Sequence, residues 1–422
     1  MTASSNSAAG FLARRFPALT HRDFRLLWFG QIVSIAGSQM QNVAINWQIY
    51  EHTNSAVMLG LIGLVRVVPI ILFSLVGGVV ADTYDRRRIM FFTQAGMMLS
   101  ACGLATLTLS GHASPVTILI LTGLTAAAGA FDGPARQSLI PNLVPPQHLT
   151  NAVSLNTMMF QTAAIVGPAL GGFVIDELGV GMVYVLNALS FLAVITALWA
   201  MNVVEVKEGR SARVDMASLL EGLKFVRSNK MIFSTMLLDF FATFFSSATA
   251  LLPIFARDIL KVGPKGFGML FAAESVGSLT AGLVMSMIGD VRRKGLLLLA
   301  GVGAYGLATV LFGLSTSFML SLVMLALVGV GDSVSTVLRA TIRQLVTPDH
   351  IRGRMTGVNM IFFMGGPQLG NMEAGLAAAA FGAPASVVIG GVATLVAVGV
   401  MAWGYPVLRR YEGETRGVVV SS

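Results

Sequence analysis

AVMLGLIGLVRVVPIILFSLVGGVVA, residues 56–81, carries a single charge, Arg66, among aliphatic side chains. A helix needs about 20 apolar residues to cross a bilayer, so this stretch is long enough to span. Eleven further runs of the same kind fall near residues 24–50, 88–110, 115–140, 152–176, 181–203, 232–257, 266–289, 295–314, 318–346, 355–381 and 385–407. They are too long and too uniform for barrel strands, which run to about 10 residues with alternating polarity. The composition agrees: of 422 residues, 55% are hydrophobic and only 11% charged, with a mean hydropathy of +0.77. A soluble domain carries about 25% charged residues, and at this composition it would expose wide apolar patches. A disordered chain needs far more charge. The sequence reads as an all-α membrane protein with twelve transmembrane helices.

Most connections are short. The exception, 204–231, separates six spans (1–203) from six more (232–422). Within it Met216, Leu219, Leu220, Leu223 and Val226 recur at helical spacing, with Glu221, Lys224 and Arg227 on the other sides. That is the pattern of an amphipathic helix lying on a membrane surface. Charge sets the orientation. With the N-terminus inside, alternate loops hold 24 of the 28 basic residues, Arg86–Arg88, Arg136, Arg339 and Arg343 among them. This bias predicts both termini in the cytoplasm of a bacterial-type inner membrane. It also accounts for the net charge of +8 without nucleic acid. The arginines at 14, 15, 22 and 25 lead into a first span that is retained rather than cleaved. The one cysteine, Cys102, excludes an intrachain disulfide and reads as a small core residue.

The two halves repeat each other. Residues 140–160 laid on 342–362 give seven identities in 21 positions: Ile140, Leu143, Val144, Pro146, His148, Met158 and Phe160 meet Ile342, Leu345, Val346, Pro348, His350, Met360 and Phe362. Gly167-Pro168-Ala169-Leu170-Gly171 echoes Gly366-Pro367-Gln368-Leu369-Gly370, and Asp82 with Arg86–Arg88 echoes Asp290 with Arg292–Lys294. Two parallel six-helix repeats are a transporter architecture.

At this point the chain resembles the major facilitator superfamily. The loop after span two, from Gly78 through Asp82 to Arg86 and Arg87, is similar to that family's signature loop, with Thr83 and Asp85 where the family has a basic residue and a glycine. Gly167, Pro168, Gly171 and Gly172 match the G-P-x-x-G-G pattern of its exporters. Val346–Arg354 and Gln48–Ser55 resemble the enterobactin exporter group. The resemblance implies alternating access, a cytoplasmic loop that braces helices in one transport state, and a siderophore or amphipathic drug as cargo.

Charges inside spans cost about 2.5–3.5 kcal/mol even on lower scales, so each demands a reason. Arg66 lies roughly 15 Å deep at 1.5 Å per residue. It belongs either to a structural ion pair or to a cavity, where its planar fork suits an anionic group such as a catecholate. Asp132 and Arg136 are four apart on span four and share a face. Asp239 heads a polar stripe with Thr243 and Ser246 or Ser247; Glu274, Asp332 and Glu373 are further acids in spans eight, ten and eleven. Gln31, Ser34, Ser38 and Gln41 run down one face of span one, which suits a wet cavity or hydrogen bonding between helices. Asp132 and Asp239 lead as proton carriers.

Other signals are rejected. Gly301–Gly306 spells G-x-G-x-x-G inside span nine, with no strand before it, and no Gly-Lys dipeptide supplies a P-loop. His148 and His350 are repeat-related loop residues without clustered ligands, so no metal site is expected. No catalytic triad assembles. The reading is a secondary transporter, not an enzyme, with no cofactor. Its partners are a small-molecule substrate, a coupling ion (the proton) and the lipid bilayer, and it acts as a monomer. An importer of a small metabolite, a membrane-embedded enzyme or a non-transporting sensor are the rival readings.

Overall fold

The computed structural model describes residues 15–202, 216–289, 291–348 and 351–412, with the backbone alone described at 74–79, 81, 82, 216–220, 352, 353, 356, 357, 360, 361 and 364. Asp290, Asp349 and His350 of the expected repeat lie outside the described residues. Twelve long helices occupy the places of the twelve apolar runs. The first six are α1 (Arg22–Thr53), α2 (Ala56–Thr83), α3 (Arg86–Leu109), α4 (Pro115–Leu139), α5 (Leu149–Leu178) and α6 (Val180–Ala200). A linker helix α7 (Met216–Ser228) follows. Then come α8 (Lys230–Phe245), α9 (Gly263–Ile288), α10 (Lys294–Gly313), α11 (Phe318–Val346), α12 (Arg352–Phe381) and α13 (Ala383–Gly404). Among the described residues there is no strand. Ten of the helices are long and apolar enough to cross a membrane. The other two, α1 and α12, carry the polar residues of spans one and eleven.

Local chemistry places the helix ends. Asp85 caps α3 by accepting from the Arg88 amide at 3.1 Å. Ser114 and Thr117 form a capping box at α4, behind which Pro115 sits in the first turn, where its missing N–H costs nothing. Asn229 caps α8 through the amides of Met231 and Ile232. Gly179 and Gly382 join α5 to α6 and α12 to α13 with φ of +83° and +87°, a conformation that favours glycine. These two turns stand at equivalent places in the two repeats.

By packing, the described residues form two compact units, one within 1–48 and 68–213, the other within 49–67 and 214–422. In the first, α3 packs on α4 and α6; in the second, α10 packs on α11 and α13, the corresponding pairing. The glycine-proline segments also correspond. A Cβ on Gly167 would stand 2.8 Å from the Ala36 carbonyl oxygen and on Gly171 3.0 Å from the Met40 Cα, both on α1; on Gly370 it would stand 2.7 Å from the Thr243 oxygen of α8. Only hydrogen fits at these crossings, so α5 lies backbone to backbone on α1, and α12 on α8.

Three expectations change. Span seven is not one continuous helix. After Phe245 it breaks at Ser246–Ala248 and resumes through a 3₁₀ turn (Thr249–Leu251) and a π turn (Phe255–Ile259). Pro253 has no N–H to extend the ladder, and the Ser246 hydroxyl bonds Thr394 at 2.7 Å instead of its own helix. The linker helix turns its buried side to protein: Val226 packs with Ile232, Met236, Met355 and Val358. Glu221 pairs with Arg354 at 2.5 Å, while Leu223 remains 47% exposed. Cys102 is exposed on α3, not part of the core.

Candidate functional site

Each unit holds a buried polar cluster, and each is described on its own. In the first, α1, α3, α4 and α5 supply it. Asp132 is 5% exposed and accepts from the Thr93 hydroxyl at 3.0 Å and the Gln94 amide at 2.9 Å. Arg136 donates to the Gln31 side-chain oxygen at 3.0 Å and lies 4.7 Å above the Phe160 ring. Asp132 and Arg136 stay within electrostatic reach of each other, as their i,i+4 spacing suggests, but their hydrogen bonds go to separate partners on other helices. Neutral donors on α3 reach the carboxylate, and Gln31 claims the guanidinium. Ser34 donates to the Gln94 oxygen at 3.5 Å.

Further along α1 the polar face ties helices together. Gln41 accepts from Asn187 of α6 at 2.7 Å. Gln48 accepts from the Tyr184 hydroxyl at 2.8 Å and donates to Thr108 at 3.1 Å. Gln31, Ser34 and Gln41 are 2–3% exposed and hydrogen-bond across helices, while Ser38 is half-buried.

The second unit contains a true ion pair. Asp239 of α8 meets Arg339 of α11 at 2.5 Å, with side chains 5% and 2% exposed. Arg339 also donates to Thr336 at 2.8 Å. Asp332 lies within electrostatic reach of both members of the pair, Glu274 of α9 within reach of Asp332, and Arg343 within reach of Arg339 and Asp239. Tyr305 of α10 stands among them, its hydroxyl donating to the Ser246 oxygen at the break in span seven, 3.2 Å away. Helices α9 and α11 touch backbone to backbone at Gly277 and Gly329, where a methyl group would overlap the carbonyls of Ala326 and Glu274. That close crossing brings Glu274 and Asp332 near each other.

Arg339 and Arg343 were counted above as loop residues that set topology. They lie inside α11, and Arg339 is the largest fully buried side chain of the protein's described residues. A signal existed: Asp332, Thr336, Arg339 and Arg343 recur at helical spacing within the apolar run 318–346.

Arg66 lies on α2 in the 49–67 segment, half-buried and partnered; it is not a lone cation. One turn before it, Gly63 meets the Gln368 backbone oxygen of α12, 2.6 Å from where a Cβ would stand. Glu373 is half-buried on α12 and makes no ion pair among the described residues. In the signature loop, Arg86 donates to the Ser138 carbonyl at 3.1 Å and Arg87 to the Trp199 carbonyl at 3.0 Å. Each arginine thus caps the C-terminal end of a helix, α4 and α6, where positive charge is favoured. Gly78 and Asp82 lie where only the backbone is described.

Twelve helical segments in two matching sets of six, ten of them able to cross a membrane by length and composition, define a membrane transporter of the major facilitator type. Residues 13–414 match the transmembrane secretion effector family, and the chain belongs to it. It is 26% identical over 368 residues to the staphyloferrin A transporter of Staphylococcus aureus (strain NCTC 8325 / PS 47), covering 85% of this chain and 90% of that one. It is 28% identical over 343 residues to the enterobactin exporter EntS of Escherichia coli O1:K1 / APEC, covering 80% and 81%. Among solved structures, a bacterial homolog of the human lysosomal transporter Spinster, inward-facing and unoccupied, matches with a TM-score of 0.69 at 16% identity, covering 92% of this chain and 96% of that one. A POT family transporter in complex with 5-aminolevulinic acid matches with a TM-score of 0.73 at 12% identity, covering 92% and 97%. At these identities the two structures speak for the fold alone.

Proposed function

We propose that this chain is a proton-driven exporter of a siderophore, or of an amphipathic drug in the same site, working by alternating access. The working halves are 1–203 and 232–422, joined by 204–231. The chain acts as a monomer in a bacterial inner membrane with both termini in the cytoplasm. The cargo class is supported by the names of its relatives, which carry enterobactin and staphyloferrin A.

The observation that carries the coupling is the charged cluster of the second unit, centred on the buried Asp239–Arg339 pair. It holds three carboxyls and two guanidinia: Asp239 pairs with Arg339 and lies within reach of Arg343, Asp332 lies within reach of Arg339, and Glu274 within reach of Asp332. One negative charge is in excess, and one proton balances it. Charges held in an apolar bundle repel or attract strongly, so protonation there shifts which packing is preferred. Asp239 remains the leading carrier in this unit, and Asp132 is the candidate in the first. Arg66 and Glu373 complete the ionisable groups of the pathway.

An imposed pH gradient should drive solute into inverted vesicles, and Asp239→Asn should abolish the pH-dependent part. Uptake driven by a sodium gradient with no pH gradient would remove the proton from this scheme. Uptake only into right-side-out vesicles would make the protein an importer.

Topology has its own check. Single cysteines at Ala113 and Asp215, in a Cys102→Ala background, should react with impermeant thiol reagents from outside and inside respectively. Labelling of both from one side would overturn the proposed orientation.

A further inference from the structure

We infer that Arg136, with Gln31, forms the point in the first unit that takes a planar oxyanion of the cargo, a carboxylate or catecholate. This rests on the export reading and gives its cargo a chemical contact.

The argument begins with what Arg136 lacks. A guanidinium offers five N–H donors. One goes to the Gln31 oxygen at 3.0 Å, and one face is covered by the Phe160 ring at 4.7 Å. The nearest carboxylate, Asp132, one turn away, lies within electrostatic reach but spends its hydrogen bonds on Thr93 and Gln94. No carboxylate bonds Arg136 among the described residues. A cation inside a membrane span is normally paired.

Gln31 points the same way independently. It is 2% exposed. Because its oxygen accepts from Arg136, its amide orientation is fixed, and the nitrogen is left as a donor. That nitrogen is buried and has no acceptor. Buried donors without acceptors are rare in folded proteins and are costly. The Gln31 nitrogen thus has no acceptor, and its neighbour Arg136 keeps donors beyond the one that Gln31 takes. An oxyanion supplies an acceptor to both, and a guanidinium's planar fork can hold two oxygens at once.

The second unit shows what has been left out. Gln31 and Asp239 each stand nine residues after the first residue of their helices, α1 and α8, the first spans of the two repeats. Each meets an arginine of its repeat's fourth span, Arg136 or Arg339. Where the second repeat has a built-in carboxylate, the first has an amide. The carboxylate place beside Arg136 is open to a carboxylate from outside the chain. Arg136 and Phe160 are only half-buried, which leaves that place reachable.

The test uses the full-length protein in nanodiscs and equilibrium binding of 2,3-dihydroxybenzoate, with neutral 2,3-dihydroxybenzamide as its partner probe. The wild type should prefer the anion. Arg136→Lys should weaken the anion by about tenfold or more, the scale of one charged hydrogen bond, and leave the amide unchanged. Gln31→Glu installs the carboxylate that the second repeat already has, and should weaken the anion similarly. Asp132→Asn removes a competing negative charge and should tighten it. The last two variants shift affinity in opposite directions, so they decide the matter even if Arg136→Lys fails to fold. No anion preference in the wild type, or unchanged affinity in Gln31→Glu, overturns the inference. Failure of the export reading would show elsewhere, as absent pH-driven flux of any solute.

Discussion

Replacing Arg339 by alanine should destabilise the protein by about 3–5 kcal/mol, because it strands the Asp239 carboxylate in an apolar bundle. The pair is 2.5 Å apart, with side chains 2% and 5% exposed, so solvent screens little of this effect. Arg343 lies within electrostatic reach of Asp239 and draws the loss toward the lower end of that range. Denaturation in mixed micelles measures it. Adding Asp239→Asn to Arg339→Ala should restore most of the stability, since neither partner is then charged. A loss below about 1 kcal/mol, typical of an exposed pair, would mean the ion pair is not buried as described. An unrescued loss would assign the effect to packing.

Valine at Gly329 should have a comparably large effect, for a steric reason. A Cβ there would overlap the Glu274 carbonyl, and one at Gly277 the Ala326 carbonyl. Neither neighbour is a flexible side chain; both are helix backbone. The helices must separate, at a cost of about 3 kcal/mol or more, the upper range for overpacking. Gly303→Val is the control, because nothing stands within 4 Å of a Cβ at that position. Melting temperature and size-exclusion profile should fall for Gly329→Val and Gly277→Val and hold for Gly303→Val. Equal behaviour of all three would refute the close crossing of α9 and α11.

The helices were legible because a membrane span must satisfy its backbone internally over a fixed length, and that requirement writes itself as a long apolar run. The repeat was legible for the same reason, through Gly167-Pro168 and its echo at Gly366-Pro367. What sequence could not supply was who meets whom across helices. Asp239 stood out as an acid in an apolar run, but its partner is 100 residues away, and Arg339 looked like one more cytoplasmic arginine near a helix end. Asp132 and Arg136 misled in the opposite way. Their i,i+4 spacing is real, yet Thr93, Gln94 and Gln31 from neighbouring helices take their polar atoms. The break after Phe245 was written only faintly, in two serines and Pro253.

The segment 49–67 packs in the second unit, although it is made early. Ile49, Tyr50, Leu59, Ile62 and Val67 are at most 6% exposed there. The Tyr50 hydroxyl bonds Asp258, and Arg257 donates to Asn54 at 2.8 Å. Gly60 and Gly63 lie against α12. Synthesis proceeds at roughly 5–20 residues per second, so the 208 residues from Tyr50 to Asp258 take roughly 10–40 s to appear. For that interval the hairpin sits in the bilayer with its eventual contacts unmade. Substitutions in it should therefore show first as a defect of biogenesis, in nascent-chain degradation and dependence on insertion chaperones, before any transport step is reached.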